Sequence, residues 1–118
     1  MKYSLSLNSR PFESIKSGIK KIEGRVPTGL DKNIQFDKFK AGDIIVFTNN
    51  ENKKTMKVRV LGIRHYKTIR LMLETEGIKR VLSSQGTIEE GIESYNRLEG
   101  YKESVKKYGI YAIEIVKI

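Results

Sequence analysis

The 118-residue chain has no cysteine, no tryptophan, two prolines and one histidine. Without cysteine there is no disulfide, no thiolate metal site and no Cys nucleophile. His65 stands alone, so one chain cannot assemble a multi-histidine metal centre. No apolar run approaches the roughly 20 residues needed to cross a bilayer. Met1-Lys2-Tyr3-Ser4-Leu5 leads straight into a polar stretch, without the apolar core of a signal peptide. The expectation is a cytoplasmic protein with no membrane partner, no metal and no cofactor.

What the chain does have is positive charge. Lys plus Arg total 23 against 14 Asp plus Glu, a net charge of +9. The excess is lopsided: residues 1–70 carry 16 basic and 6 acidic side chains, residues 71–118 carry 7 and 8. Such a bias suggests a polyanionic partner, most simply RNA or DNA. With 38% apolar residues the chain is globular, and its length suits a single domain over 1–118.

The charge is densest in Gly18-Ile19-Lys20-Lys21-Ile22-Glu23-Gly24-Arg25. The alternation has a strand's period, placing Lys20, Ile22 and Gly24 on one side and Lys21, Glu23 and Arg25 on the other. A strand this charged is either a solvated edge or the wall of a site.

Around it the order of elements is legible. Tyr3, Leu5 and Leu7 alternate as a half-buried strand. Pro11 suits the first turn of a short helix with Phe12, Ile15 and Ile19 as its apolar stripe and Gly18 as its stop. Residues 26–33 read as a loop placed to close over a ligand, with Phe36 and Phe39 behind it as core plugs. Ile44-Ile45-Val46-Phe47 is a buried strand. Thr55 to His65 is a long one, with Met56, Val58 and Val60 inward, Lys57 and Arg59 outward, and a bulge at Leu61-Gly62-Ile63. Thr68 caps a helix ended by Gly77, and Ile78, Val81 and Leu82 add an apolar turn. Thr87 and Glu90 form a capping box. Tyr101, Val105 and Tyr108 repeat at helical spacing before Gly109, and Ile110 to Ile118 forms a closing strand. The fold class is therefore α+β: a small, mostly antiparallel β-barrel with short helices over its openings.

Gly18-x-Lys20-x-x-Glu23-x-Arg25, after a strand and a helix holding Pro11-Phe12, resembles the signature of the ASCH domain, a small β-barrel of the PUA-like group. Lys40-Ala41-Gly42-Asp43-Ile44-Ile45-Val46-Phe47 and Lys107-Tyr108-Gly109-Ile110-Tyr111-Ala112-Ile113-Glu114-Ile115 resemble two further family segments. The resemblance implies a basic cleft lined by the octet, and RNA or a modified nucleotide as ligand. It moves the charged strand from edge to site.

On this reading Lys20, Lys21 and Arg25 contact phosphate or a base edge, and Glu23 accepts from an exocyclic amine. Lys57, Arg59 and Arg64 supply supporting charge. Tyr66, Tyr95 and Tyr101 are candidate stacking platforms. The alternative implied by the resemblance is an amidohydrolase, because one branch removes the acetyl group from N(4)-acetylcytidine. Its lysine matches Lys20, and its helical-half glutamate would be Glu90 or Glu89. The position of its threonine nucleophile is held here by Glu23, and a carboxylate does not replace a hydroxyl in acyl transfer.

Overall fold

The alternation of Tyr3, Leu5 and Leu7 is realised as strand β1 (Lys2–Leu7) in the computed structural model, which describes residues 1–83 and 86–118. Four more strands follow: β2 (Ile22–Arg25), β3 (Ile44–Asn49), β4 (Thr55–Tyr66) and β5 (Ile110–Lys117). The helices are α1 (Ser9–Lys16), α2 (Ile69–Glu76), α3 (Ile78–Val81), α4 (Ile88–Asn96) and α5 (Tyr101–Tyr108), with 3₁₀ turns at Gly29–Asp31 and Phe36–Lys38.

The strands form one sheet in the order β1-β3-β4-β5-β2. Among the described residues only β1 and β3 run parallel; the other three pairings are antiparallel. The sheet curls into a half-barrel, and β4 bends at the expected place. Val60 pairs with Ile115 and Gly62 with Glu114, leaving Leu61 as the extra residue of the bulge.

Two apolar clusters hold the curl. One fills its inside with Leu5, Phe12, Phe36, Phe47, Val58 and Ile113. The other packs Ile22, Met72, Leu73, Tyr95 and Ile110 between β2, β5 and the helices. Strand β5 is buried on both faces because Ile113 and Ile115 serve the first cluster while Ile110 and Ala112 serve the second. Each fully buried Phe or Ile contributes about 1.5–3 kcal/mol. Helix α1 packs on β3 and β5, α2 on β4 and β5, and α3 on β2. Phe36 and Phe39 are core plugs as expected.

Helix termini follow their sequence signals. Thr68 accepts from the Leu71 N–H at 3.1 Å, and Thr87 and Glu90 complete the reciprocal capping box. Two apolar readings fail. Helix α1 ends at Lys16, so Ile19 falls in the turn beyond it and is 66% exposed. Tyr108 is the last residue of α5 and is 48% exposed.

Candidate functional site

The charged octet makes its geometry through a turn. Gly18 has φ +85°, a left-handed conformation that suits glycine and reverses the chain after α1. The Ile19 and Lys20 amides then both donate to Ser14 O at 3.0 Å. The strand starts at Ile22, not at Lys20, so the period-2 reading that set Lys20 opposite Glu23 fails. The long Lys20 side chain folds inward instead.

Lys20 Nζ donates to Ile22 O at 2.8 Å and to Val81 O on α3, and lies 3.3 Å from Glu23 Oε1. Glu23 Oε2 accepts from Arg25 Nε at 2.7 Å. The Arg25 guanidinium also donates to Asp31 Oδ2 at 2.7 Å and to Ser6 O at 2.6 Å. Lys20, Glu23, Arg25 and Asp31 thus form an alternating chain of two cations and two carboxylates. It ties β2 to α3, to the loop after β2 and, across the open side of the curl, to β1. Lys20, Glu23 and Arg25 are all buried.

Burial sets the electrostatics. It is the largest influence on Lys20 and pulls its ammonium below the ordinary lysine value, against Glu23. Burial alone would raise Glu23; the charges of Arg25 and Lys20 overcome it and hold the carboxyl below its usual range. Arg25 is also opposed by burial, but Glu23, Tyr101 and Asp31 drive it further up. Burial lifts Tyr95 well above the ordinary phenol and pushes Tyr101 up to about 12. The Tyr95 ring tip lies directly against Gly24, which seats α4 on β2. Gly24 is required by this contact: a Cβ there would lie 2.6 Å from the Tyr95 oxygen.

This network lines a cavity of about 650 Å³ between β1, β2, the 26–33 loop and α4. Lys20, Glu23, Arg25, Asp31, Tyr95 and Tyr101 all contribute to its wall, with Thr28, Ser83, Ser94 and Glu99 around them. Its lining side chains carry two cations and three carboxylates, so the expectation of a basic cleft is corrected: the cavity is polar but not positive.

The other sequence candidates lie elsewhere. Lys21 is exposed, and only its backbone is engaged, with Arg80 O and with the Ile115 N–H. Lys57 and Arg59 sit on the exposed face of β4, as the alternation predicts, away from the cavity. Arg64 clamps Glu76 at 2.5 and 2.8 Å and Glu114 at 3.0 Å, while the Tyr66 hydroxyl donates to Glu76 at 2.5 Å. These two residues fasten α2 to the sheet and do not face the cavity. Glu90 is exposed and engaged in its capping box, and Glu89 pairs with Arg70. The structure therefore brings Lys20 and Glu23 together, while Glu90 lies outside the cavity they line. Sequence reasoning missed Asp31 and Ser6. Asp31 had one signal, its place in the loop assigned to the ligand.

A curled, mostly antiparallel sheet with a polar hollow at its open side defines a small PUA-like barrel. The ASCH domain model matches residues 5–118, and the chain belongs to that family, a domain associated with RNA binding. Two solved structures are similar over their full length. The crystal structure of the hypothetical protein PH0355 shares 43% identity and a TM-score of 0.80, covering all of both chains. The solution structure of protein PF0455 from Pyrococcus furiosus shares 42% identity and a TM-score of 0.74, covering all of this chain and 98% of that one. No curated protein matches the chain. No helix among the described residues is long and apolar enough to cross a membrane.

Proposed function

We propose that the cavity takes one unstacked nucleotide of an RNA strand, with Glu23 and Arg25 reading the base edge. The supporting observation is the hydrogen-bonding capacity left in the network. Arg25 has five N–H donors and uses three; each Glu23 oxygen has one partner and can accept another. Donors and acceptors side by side suit a heteroaromatic edge better than a bare phosphate, which seeks cations alone. The volume lies within the 300–1,000 Å³ range of small-ligand sites. Tyr95 and Tyr101 furnish aromatic wall, and splayed-out bases are the usual target of single-strand RNA recognition.

The test is binding of short single-stranded RNA oligomers by fluorescence anisotropy. Ser94 is exposed on the rim and outside the charged network, so Ser94→Trp plugs the cavity without disturbing the fold. Loss of a bidentate base contact is worth about 1–3 kcal/mol, or roughly 5–150-fold in affinity. Affinity of Ser94→Trp within twofold of the parent would overturn the reading.

Hydrolysis of an N(4)-acetylcytidine amide has one feature in its favour, the lowered Lys20 ammonium. That ammonium already has three acceptors around it, and Glu90 is absent from the cavity. Incubation with N(4)-acetylcytidine followed by chromatography is expected to yield no cytidine.

A further inference from the structure

The cavity lining has more carboxylates than cations, so the +9 of the chain must be displayed elsewhere. A second, smaller hollow of about 220 Å³ gathers part of it. Its rim holds Lys16 from α1, Lys54 and Lys57 from the β3–β4 hairpin and Lys117 from β5, over an apolar floor of Phe12 and Met56. All four lysines are exposed. No carboxylate side chain among the described residues lies within ion-pairing distance of any of them. Three separate elements thus converge four unneutralised ammonium groups on one concavity. A bound polyanion would offset their mutual repulsion.

From this placement we infer that the lysine hollow is a phosphate-binding subsite for the backbone of the RNA strand whose base enters the larger cavity. The inference rests on the base-pocket reading for its ligand but concerns a different surface. Helix α1 links the two, since Pro11 lines the large cavity while Phe12 and Lys16 line the small one. Ammonium groups on flexible stems bind phosphates as point charges, whatever the base attached. The division of labour is then physical: a charge-balanced pocket selects the base, and a separate cationic hollow holds the chain.

The test is the salt dependence of RNA binding by the full chain and by the triple variant Lys54→Gln, Lys57→Gln, Lys117→Gln. These side chains are exposed, so the fold is retained, and circular dichroism checks that it is. Each phosphate contact on a single strand adds about 0.7 to the slope of log K against log salt. Loss of three contacts is expected to lower that slope by about 2 and to weaken binding at ~0.1 M salt by about 10- to 100-fold. Binding of a free nucleoside, which has no phosphate, is expected to stay unchanged. An unaltered slope overturns the inference even if affinity falls. Binding of the parent to phosphatidylserine vesicles but not to RNA also overturns it, and gives the hollow to a lipid surface. A reduced slope beside unchanged binding by Ser94→Trp keeps the phosphate subsite and removes the base pocket.

Discussion

Arg25→Ala probes the joint on which the site depends. One guanidinium makes three hydrogen bonds, to Glu23 on its own strand, to Asp31 in the following loop and to Ser6 O on β1. Its side chain and that of Glu23 are each 8% exposed and Asp31 is 17% exposed, so the pair with Glu23 lies well inside the low-dielectric interior. Removing one partner of a buried ion pair typically costs about 3–5 kcal/mol, because the other charge is left behind. Here Glu23 keeps Lys20 at 3.3 Å and the vacated space opens to the cavity, so the lower end, about 3 kcal/mol, is expected. With a urea m-value of about 1.5 kcal/mol/M the unfolding midpoint falls by about 2 M, with m unchanged. Arg25→Lys keeps the charge but can reach only part of the fork, and is expected to recover about half. Hydrogen exchange at the Leu5 and Leu7 amides of β1, which face β3, is expected to accelerate in both variants. A midpoint shift below about 0.5 M would equal an exposed salt bridge and refute the account of the joint.

Gly24→Ala is expected to destabilise by about 1–3 kcal/mol, read as a lower thermal midpoint, because the new Cβ meets the Tyr95 oxygen at 2.6 Å and Met72 Cε at 3.2 Å. The carboxyls of Glu23 and Glu76 are depressed in the fold, so their stabilisation is complete above the unfolded value near 4.3 and is lost as pH falls through their folded values. Glu23→Gln should therefore flatten the acid limb of a urea-midpoint profile against pH. Tyr101 has the opposite sign: its stabilisation is present below the unfolded value near 10 and is lost as pH rises toward about 12, a limb that Tyr101→Phe should shrink. Ser104 Oγ is buried without a hydrogen-bond partner among the described residues, so Ser104→Ala is expected to be neutral or slightly stabilising in the same denaturation assay. Glu90→Gln preserves a capping box and lies outside the cavity, so it should change neither the melting point nor RNA affinity.

Local patterning carried most of the fold. The alternation in β1 and β4, the Leu61 bulge and the Thr68 and Thr87 caps depend on neighbours in sequence, and each appears where the residues place it. The site was legible only in part. Glu23 and Arg25 do share a face of β2, as strand periodicity requires. Lys20 defeats periodicity because it precedes the strand and its stem is long enough to double back to Glu23. Arg64 and Tyr66 read as site residues because Glu76, the group that claims both, is ten or more positions away. The charge total misled in a similar way: it counts lysines without saying which carboxylates stand beside them, and two of the octet's three cations, Lys20 and Arg25, turn out to be neutralised.

The sheet is a ribbon whose two outermost strands, β1 and β2, meet no ladder partner on their far sides among the described residues. Where a closed barrel would be laced by successive rungs, here the Arg25 guanidinium on Ser6 O acts as a clasp across the gap. Lacing must be undone rung by rung, whereas a clasp lets go at once. The mouth can therefore widen without breaking any strand pairing, and the residue that sets its aperture is also one that holds the fold together.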